Sequence, residues 1–282
     1  MQICGRDFIQ SEIDWINNQI ESHPELNRMQ LSRLFCRHVN WYKPDGGVKE
    51  MSCRVAMLRL EKNGLIRLPA PRKKTGVAKA VKHTSAGEPA DDIVLKAGRV
   101  NIDIAAVDKK SAPLWNELID RYHYLGYRRM GGAQMRFFVY AKGRLVALLG
   151  FSAAAWKVAP RDRFIGWTPE QRKGSLHLVV DNSRFLILPW VRSKNLASRI
   201  LSCAVKQLPV FWKKRYNYAP LLIETFVDTG RFAGTCYKAA NWMLVGQTAG
   251  RGKWDRYNAR GKPVKTVWLY PIDRRYKERL CQ

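Results

Sequence analysis

Acidic side chains are what this chain most lacks. Against 50 Lys and Arg stand 23 Asp and Glu, leaving a formal net charge of +27 and a pI near 10.2. A chain so short of acid is matched to a polyanion, and nucleic acid, DNA in particular, is the expected partner. Also missing is any apolar run near the ~20 residues that a membrane helix needs, so no membrane partner is expected. The opening MQICGRDFIQSEIDW carries acids where a leader would have an apolar core, and a cytoplasmic location is expected. The six cysteines, Cys4, Cys36, Cys53, Cys203, Cys236 and Cys281, form no CxxC and have no close His. Neither a disulfide framework nor a metal site is expected from them.

The charge is unevenly placed. Residues 1–72 hold 11 basic and 8 acidic side chains, whereas residues 112–282 hold 31 and 10. Three domain assignments follow from this and from local pattern: 1–72 as a small helical unit, 73–98 as a basic flexible linker rich in Lys, Gly, Ser and Thr, and 99–282 as a larger basic domain. In the first unit, Phe8, Ile9, Ile13, Ile16 and Ile20 predict one helix. Asn27 predicts the N-cap of a second helix carrying Leu31, Leu34, Phe35 and Val39. A third is predicted from about Lys49 to Lys62, with Met51, Val55, Leu58 and Leu60 apolar, closed by Asn63-Gly64. A short strand is predicted at 65–69. This order reads as a winged helix-turn-helix whose third helix, with Lys49, Ser52, Arg54, Arg59 and Lys62 outward, meets a DNA groove. A small protein-interaction module of the same shape is the alternative.

The larger domain opens with strand-like segments at 93–95 and 100–107, then a helix at 112–124 marked by Leu114, Trp115, Leu118, Ile119 and Tyr122. Residues 134–140 and 144–151 predict a hairpin turning at Ala141-Lys142-Gly143. Residues 161–167 read as a polar, aromatic connection. The stretch 176–246 organises the rest: short strands at 176–180 and 185–191, a helix at 195–208, a strand at 221–227 ending on Asp228, a short helix at 234–241 and a strand at 242–245. This βαβ rhythm predicts an α+β chain in which helices flank a mixed sheet.

That order resembles the GNAT-type acyltransferase fold. The glycine-containing pyrophosphate loop of that fold is absent, and 191–198 (VRSKNLAS) stands in its place, so acetyl-CoA is not expected and no cofactor is named. The segments YHYLGY, GFSAAAWKVAPRDRFIGW, NSRFLILPWVRSKNLAS and ETFVDTGRFAGTCYKAANW resemble the DruA family of Druantia anti-phage systems, which has transposon-associated relatives. That resemblance implies a role in defence or in mobile-element biology, with other proteins of the same system as partners. The second half is also similar to phage Mom proteins, GNAT-like enzymes that modify adenine in DNA. The Mom resemblance implies roles for His123, Ser198 and Asp228, with His177 where that pattern carries Arg. Tyr237 stands where ordinary GNAT enzymes keep a proton-donating tyrosine.

Read by themselves, the candidates have plainer alternatives. His123 suits general acid–base work or a structural hydrogen bond. Cys236, at a helix start, suits a nucleophile or a small buried hydrophobe. Glu224 and Asp228 share a strand face about 13 Å apart and either serve a site or neutralise arginines. Asp181, Glu224 and Asp228 together could form a nuclease or transposase triad, though their spacing matches no such motif. Nucleic-acid contacts are expected from Arg128, Arg129, Arg161, Arg163, Arg184, Arg192 and Lys194, and from Arg251, Lys253, Trp254, Arg256 and Tyr257, where basic and aromatic residues alternate. Two functions stay open: DNA recognition with a catalytically silent cleft, or a DNA-modifying or DNA-processing enzyme.

Overall fold

A computed structural model describes residues 1–71, 80–95, 101–250, 261 and 263–282. The expected contacts at Arg251, Lys253, Trp254, Arg256 and Tyr257 fall outside the described residues, as do 73–79 and 96–98 of the expected linker. The chain divides into two units, Met1–Lys79 and Ala80–Gln282.

In the first unit a two-stranded hairpin, β1 (Gln2–Ile3) with β2 (Arg6–Asp7), precedes three helices, α1 (Gln10–Ser22), α2 (Arg28–His38) and α3 (Glu50–Lys62). Asn27 caps α2 in a reciprocal capping box with Gln30. Ile13, Ile16, Leu31, Phe35, Cys53, Met57 and Leu60 form the core. Two features depart from the sequence reading. Residues 65–69 form no strand, and α2 and α3 are joined by the 11 residues 39–49, well beyond the roughly 3–4 of a helix-turn-helix. Moreover, α3 buries Cys53, Ala56, Met57 and Leu60, which leaves Met51, Val55 and Leu58 exposed beside Arg54. Of the apolar positions expected on this helix only Leu60 faces inward, and Cys53, Ala56 and Met57 take the places of Met51, Val55 and Leu58 in the core. Lys49 is half-buried at the start of α3.

The second unit begins earlier than the expected linker end. Thr84 donates its N–H and its hydroxyl to Glu117, and Tyr122 Oη donates to the Gly87 carbonyl at 2.9 Å. Ile93 and Leu95 are buried in the main core. Residues 80–95 are thus a packed strap and not free linker. A Cβ on Gly87 would meet Glu117 Oε1 at 2.3 Å. Gly87→Ala is therefore expected to cost about 1–2 kcal/mol, read as a lower calorimetric Tm of the full chain.

The strap ends in β3 (Ile93–Val94), and beyond it come β4 (Ile102–Ala106), α4 (Ala112–Tyr122), β5 (Gln134–Ala141) and β6 (Arg144–Ala153). They are followed by α5 (Ala159–Ile165), α6 (Pro169–Ser175), β7 (Val179–Ile187), β8 (Val191–Arg192) and α7 (Leu196–Tyr216). The chain closes with β9 (Leu222–Asp228), α8 (Thr235–Ala239), β10 (Met243–Gln247), β11 (Lys265–Pro271) and α9 (Tyr276–Leu280). Seven strands make one mixed sheet in the order β10-β11-β9-β7-β6-β5-β4. The β5–β6 hairpin turns on Lys142 and Gly143, both at positive φ, as their sequence predicts. Segments 176–180 and 185–191 are not two strands: Val179–Ile187 is continuous, preceded by a helical turn at Leu176–Leu178. The connection expected at 161–167 is instead helical, and Thr168 with Gln171 caps α6 in a capping box that the TPEQ sequence carries. The long helix continues past Leu208 through Pro209, because Ile200, Leu201, Ala204, Val205, Leu208 and Trp212 bury one continuous face. Among the described residues no helix is long and apolar enough to cross a membrane.

Candidate functional site

The sheet forks at its centre. β7 and β9 pair in parallel only at Val179, Val180 and Asp181 opposite Leu222, Ile223 and Glu224. Beyond that point β7 bonds to β6 and β9 bonds to β11, so the two strands part. Ser183 is an extra residue on β7, a bulge opposite the Gly150–Phe151 step, and bulges re-aim the side chains beside them. Here the neighbour is Arg184.

Across the opening lies Tyr237 of α8. Its hydroxyl donates to Asn182 Oδ1 at 3.0 Å and accepts from Thr225 Oγ1 at 3.5 Å. Burial pushes its phenol well above the usual range. Tyr237 therefore bridges the fork from within; its proton is committed to Asn182, which does not suit the donor role expected for it. Asp181 lies at the foot of the fork, with Oδ1 enclosed and without a partner. Burial first, and Glu224 second, hold its carboxyl well above the ordinary range.

The mouth is lined from α4 and from the end of β9. His123 follows α4 and is buried, with Nδ1 accepting the Leu125 N–H at 3.2 Å. That bond leaves the neutral ring its proton on Nε2. Burial, with Arg184 beside it, depresses its pKa to about 4, so it stays neutral at pH 7 and its basic nitrogen is already engaged. A general-base role is not supported; a hydrogen-bond donor is. Asp228 Oδ1 accepts the Gly230 N–H at 3.1 Å, and Oδ2 is 3.9 Å from Arg231 Nε. Arg231 in turn sits over the ring of Tyr124, 5.2 Å from its centroid. Tyr124 stacks on His123 and lies 5.5 Å, centroid to centroid, from Phe232. Both outer rings are open to solvent, Tyr124 at 38% and Phe232 at 54%. Burial, and next the Asp228 carboxylate, push the Tyr124 phenol up.

The fork thus gathers His123, Asp228 and Tyr237 with Arg184. Tyr124, Arg231 and Phe232 complete it; the sequence reading gave them no role, although YHY and DTGRF place each beside a residue it did name. Ser198 stands apart on the first turn of α7, its hydroxyl on the Asn195 carbonyl at 3.1 Å, and no described contact joins it to the fork. In the 191–198 segment β8 pairs in parallel with β3, so strap backbone occupies one edge of that segment. Burial raises the Cys236 thiol, which favours the buried hydrophobe over a nucleophile. Glu224 is bound to Arg161 at 2.8 Å with both side chains fully buried. A guanidinium therefore sits where a triad would need its cation, and Arg161 is removed from the expected phosphate contacts. Arg128, Arg129, Arg163, Arg192 and Lys194 are exposed, and Arg184 is half-buried.

The profile of the family described as "Druantia protein DruA" matches residues 59–272. The chain belongs to the DruA family. The match takes in nearly all of the second unit and leaves α1, α2 and most of α3 outside it. No curated protein matches the sequence. Among solved structures, the aminoglycoside acetyltransferase AAC(6')-Ib in complex with coenzyme A is 12% identical over 64% of this chain and 98% of its own, with a TM-score of 0.41. A Drosophila melanogaster polyamine N-acetyltransferase is 11% identical over 61% of this chain and all of its own (100%), at 0.39. An acetyltransferase of the GNAT family from Streptococcus pneumoniae is 12% identical over 61% and 99%, also at 0.39.

Proposed function

We propose that this DruA-family chain is the DNA-binding component of an anti-phage defence or mobile-element system, acting with other proteins of that system. In this reading the second unit is a GNAT-like frame turned to nucleic-acid binding at the fork. One observation carries it: two solvent-open aromatic rings, Tyr124 and Phe232, stand together with Arg231 over one of them. Apolar rings left in water beside cations suit a stacked base flanked by phosphates. The exposed Arg128, Arg129, Arg163, Arg192 and Lys194 extend the positive field. The His123 Nε2–H and the Asp228 carboxylate add a donor and an acceptor for a base edge. A contribution from the first unit, through Lys49 and Arg54 in the manner of a winged helix, belongs to the same proposal. The exposed Met51, Val55 and Leu58 favour a protein contact there instead.

The enzymatic alternative, base modification in the manner of Mom proteins, is favoured by His123 and Asp228 meeting at Tyr124. Against it stand the engaged Nδ1 of His123 and the enclosed phenol of Tyr237. Nucleoside analysis of DNA incubated with the protein and cell extract separates the two, since only the enzyme leaves an altered base or a cut strand.

The binding reading is tested with single-stranded and duplex oligonucleotides carrying 2-aminopurine, using the full chain. Quenching on binding to the single strand is expected. Phe232→Ala and Tyr124→Leu are each expected to weaken binding by about 1–3 kcal/mol, the worth of one stacked base. Affinity untouched by either change would remove the fork as the binding site.

A further inference from the structure

We propose that a second crevice, between the start of β5, the last turn of α7 and the loop after α4, is a phosphate-binding site. It encloses about 200 Å³ and is lined by Tyr127, Arg129, Gln134, Arg136 and Arg215. Three guanidinium groups converge there and no carboxylate is among the lining residues. None of the three arginines is in an ion pair with an acid among the described residues. Asp120, which accepts the Tyr127 N–H at 3.1 Å, is turned through its other oxygen to His83 at 2.9 Å.

Arg136 is built in. It projects from the same face of β5 as Gln134, its Nη1 donates to Asn116 Oδ1 at 2.7 Å, and its guanidinium lies 5.5 Å from the centroid of the Trp115 ring. Gln134 is fixed as well, its backbone N–H donating to Tyr216 Oη at 2.7 Å. Arg215 has one ordinary reason to be where it is, since a cation complements a helix C-terminus. That reason does not explain why Arg136, anchored on a strand, meets it. Burial and the field of Arg215 both act against the charge on Arg136. Like charges held together are unfavourable until an anion joins them, and a guanidinium offers paired N–H donors in the geometry of a phosphate. The size fits one such group, being below the roughly 300–1,000 Å³ of sites that enclose a whole drug-sized molecule.

The ligand chemistry is a phosphate, supplied either by a nucleic-acid backbone or by a small phosphorylated molecule. The backbone source rests on the function proposed above; the phosphate site itself does not. The loop that carries Arg129 also carries Tyr124, so a strand whose base lies on the fork has a phosphate seat on the same connection.

The test uses the full chain and three probes: inorganic phosphate, with chloride at equal ionic strength as control, and a single-stranded oligonucleotide with and without a 5′-phosphate. Phosphate is expected to raise Tm beyond the chloride control, and Arg136→Met/Arg215→Gln is expected to abolish that difference. The same variant is expected to weaken oligonucleotide binding at least tenfold, and a 5′-phosphate preference in the wild type would mark a terminal phosphate as the occupant. Arg129→Gln and Arg215→Gln singly, both at exposed positions, repeat the measurement should the double variant misfold. A phosphate response equal in wild type and variants, or absent from the wild type, overturns the site. An oligonucleotide affinity unchanged in the variants overturns the backbone source and leaves the fork reading standing. A phosphate response with no oligonucleotide binding overturns the DNA reading and keeps the site for a small phosphorylated ligand.

Discussion

Glu224→Ala is expected to cost about 3–5 kcal/mol, because it strands a buried guanidinium. Arg161 and Glu224 are both fully buried and meet at 2.8 Å. Arg161 Nη1 also donates to the Ala155 carbonyl at 2.8 Å, while its Nε and Nη2 hold Asp162 Oδ1 at 2.9 and 2.8 Å. Its plane lies over Trp167, 5.4 Å from the ring centroid. Glu224 Oε1 closes the circuit by accepting the Ala155 N–H at 2.9 Å. Losing the carboxylate leaves Asp162 to balance Arg161 alone and frees a backbone donor. At about 2–4 °C per kcal/mol for a unit of this size, Tm should fall by about 6–20 °C in a calorimetric scan. Glu224→Gln should cost less, since the amide oxygen can still accept one of the two hydrogen bonds, from Arg161 Nη1 or from the Ala155 N–H, though its NH2 cannot accept the other. Arg161→Met/Glu224→Leu should recover part of the loss, because no buried guanidinium is left without its carboxylate, although the Ala155 N–H and carbonyl lose their partners. If Glu224→Ala and the double variant melted together, uncompensated charge would not be the cause.

His123 gives the second large effect, and it is read in pH. Its pKa falls from 6.5 unfolded to about 4 folded, through burial and then through Arg184. A depressed histidine binds its proton more readily in the unfolded chain. Its contribution is therefore complete above pH 6.5 and is lost as pH falls through 4. At 1.36 kcal/mol per pKa unit, and after a discount because the ring edge meets solvent, the loss is about 2–3 kcal/mol. Asp181 acts in the opposite sense: a carboxyl raised by burial favours the folded state at low pH, and its contribution falls as pH rises from its ordinary value. Measuring His123→Gln against wild type cancels that background. The stability gap between the two should narrow by about 2–3 kcal/mol between pH 7 and pH 4. Parallel curves would show that the ring is not enclosed as described.

The behaviour of particular residues shows how much was readable beforehand. Asn27 announced its helix by capping chemistry, and Lys142-Gly143 its turn by backbone conformation, because both are decided within a few residues. TPEQ carries the capping box of α6 in the same way, within a stretch whose aromatic and polar residues read as a connection. The sequence places the third helix and turns Arg54, Arg59 and Lys62 outward, but Met51, Val55 and Leu58 fit the inward stripe beside Leu60 as well as Cys53, Ala56 and Met57 do. Only the approach of α2 chooses between them. Arg161 and Glu224 are 63 residues apart in sequence; the sequence reads Arg161 as a phosphate contact and Glu224 as either a site carboxylate or the neutraliser of an arginine, and only the fold pairs the two.

By itself, then, the sequence determined an α+β chain with a strongly basic second half, most of its strands and helices, and membership of a family whose motifs run from 59 to 272. These follow from short-range periodicity and from composition. Tertiary structure alone decided that β7 and β9 part after Asp181 and Glu224, that Tyr237 fills the gap, and that Tyr124 meets Phe232. It alone set Arg136 against Arg215. Those meetings depend on strand register and helix docking between segments far apart in the chain, and a local pattern carries no information about which distant side chain will share its space.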